Sequence, residues 1–175
     1  MATSQNGWPV LDSGSGLLHT WTIPAKTGTR QIRLRGGSAG FLLCHFMLWF
    51  AEEVEPLTGG VLDDWGYAYR PIRGQLTGFS NHASGTAVDA NATKHVLGAR
   101  NTFTAEQAKK IRSRLKWTGG AIRWGGDYVT RADEMHFEIN RPLADCERIA
   151  KWLLRTPRGK RLLAANPSQR KVIYL

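Results

Sequence analysis

The chain has no apolar run approaching the roughly 18 residues that a membrane-spanning helix needs. The longest, Phe41–Ala51, contains Cys44 and His45 and runs into Glu52 and Glu53. The opening residues, MATSQNGWPV, lack the basic start and apolar stretch of a signal peptide, so the expectation is a protein made in the cytoplasm without an export signal. Cysteine is scarce: only Cys44 and Cys146, each among apolar neighbours and with no second cysteine at CxxC spacing. That excludes a CxxC motif and favours two reduced packing residues over a disulfide or a reactive thiol. Acidic residues are also few, 14 against 24 Lys+Arg, for a formal net charge of +10. Such a surface is drawn to polyanions, either nucleic acid or an anionic cell wall or membrane. No internal repeat is present, which excludes solenoids and propellers.

What remains is a chain of 175 residues, 42% apolar and 22% charged, enough for one self-sufficient core. Residues 1–175 are expected to form a single domain, with 1–16 loosely held and 156–175 a basic extension. His19–Ile23 and Arg30–Leu34 alternate as half-buried strands do and are predicted to form a hairpin, with Pro24 stopping the first. Ser38 is a predicted N-cap for a buried helix from Ala39 to about Glu55, closed by Pro56 and the Gly59–Gly60 pair. Trp65–Tyr69 reads as a β segment and Arg70–Gly78 as a loop. Thr104 and Gln107 have capping-box spacing for a helix over 105–116. Ala121–Trp124 and Met135–Ile139 read as strands, and 142–155 as a last long helix that Pro157 ends. Segregated helices beside short strands predict an α+β fold.

Two segments carry chemistry, SNHASGTAVDA (80–90) and DEMHFEI (133–139). They supply His82, Asp89 and His136. Two imidazoles and one carboxylate suit a zinc ion with a fourth position open, and a nearby unbound acid can then move the proton. Gly85 permits a bend that returns Asp89 toward His82. Residue types alone leave a structural role open for these histidines. His45, in the apolar helix, reads as a satisfied core residue, His19 as a strand-edge residue and His95 as part of a polar loop.

The detailed pattern narrows the choice. SNHASGTAVD resembles the S-x-H-x-x-G-x-A-x-D signature of the zinc D-Ala-D-Ala carboxypeptidase and L-alanyl-D-glutamate peptidase family. MHFEI resembles its second signature, in which the last zinc histidine precedes Phe-Glu. IRWGGDY (122–128) is similar to the WGGD segment of the phage endolysin branch, and Tyr69–Arg70 stands where family members have an active-site arginine. The resemblance covers about residues 60–140. It implies His82, Asp89 and His136 as zinc ligands, Asp133 as general acid/base with Glu134 as a competitor on strand geometry, and Arg70 on the scissile carbonyl. Ser80 would bind a substrate carboxylate or cap a turn, Glu138 would orient a ligand histidine or be structural, and Asp127 would shape its turn through local backbone bonds.

The resemblance implies a zinc peptidase that cuts the peptide stem of bacterial peptidoglycan, an endolysin cutting L-Ala–D-Glu. The alternatives are a D-Ala–D-Ala carboxypeptidase and a non-catalytic zinc-containing wall-binding module. An endolysin would reach the wall through a holin and act as a monomer. The basic residues Arg158, Lys160, Arg161, Arg170 and Lys171 would hold it on anionic wall polymers. No helix-turn-helix, zinc-finger or RNA-binding signature supports a specific nucleic-acid partner.

Overall fold

The computed structural model describes residues 2–57, 63–72, 74 and 77–174. The Gly59–Gly60 pair expected to close the first helix lies outside the described residues, as do parts of the 70–78 loop. Among the described residues the fold is mixed α/β, with five α-helices and two small antiparallel sheets.

The predicted hairpin forms as β1 (Leu18–Ala25) and β2 (Gly28–Arg35), in register from Leu18 opposite Arg35 to Ala25 opposite Gly28. Trp21, Ile23, Ile32 and Leu34 point into the core, as period-two alternation requires. Pro24 does not stop β1. It pairs with Thr29 at the hairpin end, where a missing N–H is tolerated.

Helix α1 (Gly37–Glu53) starts before the expected cap: Gly36 is the N-cap, without a side-chain bond, and Ser38 is buried in the first turn. Every residue from Gly37 to Ala51 is buried, because the hairpin, the second sheet and the C-terminal helices each cover a side of α1. Helix α2 (Ala105–Trp117) has the full Thr104–Gln107 capping box. Helix α3 spans Leu143–Leu153. Pro157, expected to end the helical region, instead opens α4 (Pro157–Ala165), where its fixed φ suits a first turn. Helix α5 is Arg170–Tyr174.

The second sheet has the order β3-β5-β4, from β3 (Ala87–Asp89), β5 (His136–Ile139) and β4 (Ile122–Trp124). Alternation along β5 sends Phe137 and Ile139 toward the core. Phe137 meets Phe46 at 4.8 Å and Phe50 at 5.8 Å between ring centroids, so α1 supports the back of the sheet. His136 and Glu138 take the other face.

Both chain ends are tied to the rest of the domain, the first of them against expectation. Residues 2–16 are not loosely held: Trp8 and Leu11 are buried. Asn6 donates from its backbone to Asn81 and from its side chain to Thr86 and the Ile139 carbonyl. The described part of the C-terminal segment, 156–173, packs on the domain. Arg158 pairs with Glu52 and Glu53, and Arg161 with Glu52. Asn166 exchanges two hydrogen bonds with the Thr22 backbone, and Gln169 accepts from Gly37 N–H. The adjacent acids at the end of α1 give these arginines partners on the domain, which a composition count does not reveal.

Candidate metal centre

Asp89 ends β3 and His136 begins β5, and the antiparallel register sets them directly opposite each other. His82 sits in a short 3-10 helix, Asn81–Ser84. Gly85 closes that turn at φ +67, a left-handed conformation, and a Cβ there would lie 2.6 Å from the Arg35 nitrogen. The chain therefore reverses tightly and brings His82 over Asp89. The β segment expected at Trp65–Tyr69 reduces to one bridge. Trp65 exchanges two backbone hydrogen bonds with Asp89 and holds the β3 edge.

One Asp89 oxygen lies 2.7 Å from His136 Nδ1 and 3.2 Å from His82 Nε2, and the two nitrogens are 3.2 Å apart. Tetrahedral zinc with ligands at about 2.0–2.1 Å sets its donors about 3.3–3.4 Å apart. The triangle therefore fits such an ion with small adjustment. The distal nitrogens fit too. His82 Nδ1–H donates to the Gly66 carbonyl at 2.6 Å, which leaves Nε2 facing the centre. His136 Nε2–H donates to Glu138 at 3.2 Å, which leaves Nδ1 facing it. These partners fix both tautomers. All three donor residues are buried.

Charge follows the same plan. Burial raises the Asp89 carboxyl, but the two histidines outweigh it and hold its pKa far below the usual range. Burial lowers the His136 imidazole, yet hydrogen bonds to Asp89 and Glu138 overcome this and raise it to about 10. Glu138, opposed by burial, is brought down to about 2 by His136, Arg123 and Tyr128. It accepts from Arg123, from Tyr128 O–H at 2.8 Å and from Asn81. Of the two roles open to Glu138, the structure supports orienting His136.

Asp133 and Glu134 separate cleanly. Glu134 lies in a turn before β5, not on the strand, and its carboxylate accepts from the backbone N–H groups of Asn101, Thr102 and Phe103 and from the Thr102 hydroxyl. Those bonds hold it below the ordinary carboxylate range against burial. Asp133 instead lines the cavity over the centre, with a buried Oδ1 lacking a partner among the described residues. Burial pushes its carboxyl up, and Asp89 adds to this against the pull of His136, His82 and Arg70. The WGGD segment seats this residue. Asp133 N–H donates to Gly125 O at 2.9 Å, and a Gly125 Cβ would stand 2.4 Å from the Asp133 carbonyl. Trp124 Nε1–H also donates to the Glu134 carbonyl at 2.7 Å.

The cavity measures about 910 Å³, and Arg70, Ser80, Arg131 and Tyr128 line it with the metal-site residues. Ser80 Oγ also accepts from His82 N–H at 3.4 Å, so it caps the turn from within the lining. Among the described residues the Asp127 carboxylate makes no bond to its own turn and pairs instead with Arg112 on α2 at 2.9 Å. His95, expected in a polar loop, is buried, stacks on Phe103 at 3.7 Å and bonds Glu55 and Thr102. His45 is a satisfied core residue, and both cysteines are buried and unpaired.

Motif reasoning overlooks Asn81, Tyr128, Gly66 and Asn6. Asn81 and Tyr128 fall inside the SNHASGTAVD and IRWGGDY motifs, where a polar residue beside a ligand is a usable signal. The Gly66 carbonyl and the Asn6 amide leave no such mark, because a backbone acceptor and a distant strap depend on the fold.

Fold and site together define a small mixed α/β domain with a candidate centre for one metal ion. A family model described as D-alanyl-D-alanine carboxypeptidase matches residues 73–139, less than half the chain. The match spans His82, Asp89, Asp133 and His136 and supports a peptidase of this zinc-dependent family; Arg70 lies just outside it. No curated protein and no solved structure matches the chain. No helix among the described residues is long and apolar enough to cross a membrane.

Proposed function

We propose that the protein is a zinc peptidase of the endolysin type, cutting the L-Ala–D-Glu bond of the peptidoglycan stem. The observation that supports a zinc peptidase is the convergence of His82, Asp89 and His136 beneath a cavity in which the Asp133 carboxyl has an unpartnered oxygen, and the choice of L-Ala–D-Glu follows the resemblance at Asp133 and the WGGD segment. A zinc ion held by these three residues would supply a Lewis acid that polarises the scissile carbonyl and acidifies water.

The chain's own groups then have distinct tasks. Asp133, with its carboxyl raised by burial, takes the proton from the attacking water and gives it to the leaving amine. Arg70 holds the carbonyl oxygen as negative charge grows, using a permanent charge and forked donors. Ser80 meets a substrate carboxylate, and Arg131 adds a second cation to the lining for an acidic stem. Glu138, Tyr128 and Asn81 keep His136 from turning.

D-Ala–D-Ala carboxypeptidase activity is the second reading, favoured by the description of the matching family model. Mass spectrometry of fragments released from a defined peptidoglycan separates the two. A new N-terminal D-Glu supports the endopeptidase, and loss of a terminal D-Ala supports the carboxypeptidase. No fragment from protein with full zinc content would favour a binding module.

A further inference from the structure

A second cavity, of about 370 Å³, shares no lining residue with the first. Lys26, Arg114, Arg158 and Arg161 line it, with Glu52 as the acid in the wall. Both oxygens of Glu52 are engaged, by Arg161 and the Lys26 backbone on one side and Arg158 on the other. Arg158 also takes Glu53. The charge is still not balanced. The Nε atoms of Arg114 and Arg161 are buried without an acceptor among the described residues. Beside them Trp117 stacks under the Arg114 guanidinium at 3.8 Å and meets Trp152 at 4.3 Å. Both indoles are more than two-fifths exposed. Exposed tryptophans usually cover an apolar neighbour or await one.

We propose that this cavity is a binding site for the phosphodiester groups of an anionic polyol-phosphate wall polymer. Arg114, Arg161 and Lys26 take the phosphate, and the Trp117–Trp152 pair takes the adjoining polyol or sugar. Forked guanidinium donors match phosphate oxygens, and their number exceeds what one two-oxygen carboxylate accepts. The choice of wall polymer rests on the peptidase reading above. The site places the adhesion expected of the basic C-terminus in one cavity rather than along a free tail.

The test uses the intact protein with its metal retained and intrinsic tryptophan fluorescence, titrated with soluble poly(glycerol phosphate), inorganic phosphate and a single-stranded oligonucleotide of equal charge. Lys26→Ala, at an exposed position, is expected to weaken polymer binding roughly three- to tenfold. Glu52→Gln is expected to tighten it, a direction that mere loss of structure does not produce. Trp152→Ala is expected to weaken polymer but not inorganic phosphate. Walls stripped of phosphate polymer are expected to retain less protein than untreated walls. Polymer affinity unchanged in both Lys26→Ala and Glu52→Gln, equal retention on stripped walls, or tighter binding of the oligonucleotide would each overturn the proposal. Cleavage of a small soluble stem peptide, measured alongside, reports on the peptidase reading independently: it is expected to be untouched by Lys26→Ala and Trp152→Ala.

Discussion

Two buried histidines in this protein are driven in opposite directions. His136 faces Asp89 and Glu138, and its imidazole is raised to about 10. His45 faces Arg114 and Arg158; burial first, then those two charges, lower it to about 3. Its hydrogen bonds agree with a neutral ring, since Nε2–H donates to Thr156 Oγ1 at 3.2 Å and Nδ1 accepts from Arg114 at 3.4 Å. The contrast shows that burial alone does not set a histidine's role. Acids concentrated around a ring create a place for a cation, whereas guanidinium groups around a ring make it a fixed, uncharged link in the core.

The largest test of this contrast removes a ligand. His82→Ala or His136→Ala is expected to abolish both metal content and peptidase activity, because one carboxylate and one imidazole hold zinc poorly. Elemental analysis of the purified variants measures it, and full zinc occupancy in either would break the assignment of the acidic cluster as the metal centre.

Next come the neighbours Asp133 and Glu134. Asp133→Ala is expected to keep its zinc and lose roughly 10²–10⁴-fold in turnover, the usual worth of a positioned acid/base. Glu134→Ala is expected to act on stability instead, by about 2–4 kcal/mol, since it strands three backbone donors. Denaturant unfolding beside a peptide assay distinguishes them; a stable but dead Glu134→Ala would reverse the roles.

Arg70→Lys is expected to lower kcat/KM by roughly 10- to 100-fold while retaining charge, because an ammonium cannot fork to two acceptors. Wild-type kinetics in this variant would make residue 70 a bystander in the lining.

The smallest effect concerns His45. The unfolded chain gains a proton near pH 6.5, whereas the folded one resists it down to about 3. Stability attributable to this ring is therefore complete above pH 6.5 and declines as pH falls through that window. The slope is at most about 1.4 kcal/mol per pH unit. Urea unfolding of wild type and His45→Gln at pH 5 and pH 7.5 checks the sign. A wild type that loses no more stability than His45→Gln on acidification would show that the arginines do not keep this ring neutral.

Local chemistry is legible in the amino-acid sequence. The hairpin, the α2 capping box and the strand at His136 follow from alternation and capping, which act over a few residues. The three candidate metal ligands stand in short motifs for the same reason; the register of β3 on β5 joins Asp89 to His136, and the turn at Gly85 adds His82. Long-range effects are not legible in this way. Pro157 reads as a breaker, but it starts a helix because Thr156 caps it and Leu162 and Leu163 have a core to enter. The basic C-terminus reads only as a basic extension because Glu52 and Glu53, the partners of Arg158, lie over a hundred residues away. His95 reads as a loop residue until Phe103 and Glu55 close over it.

The N-terminal strap gives assembly of the site an order in time. Asn6 donates to Asn81 and Thr86, and also to the carbonyl of Ile139, 133 residues downstream. A ribosome adding roughly 5–20 residues per second takes on the order of ten seconds to cover that span. For roughly the last third of that interval His82 and Asp89 exist in the emerging chain, but the strand bearing His136 and the last acceptor for the strap do not. The candidate metal centre thus cannot close until β5 has been made, and a strap made well over a hundred residues earlier is among the segments that lock it.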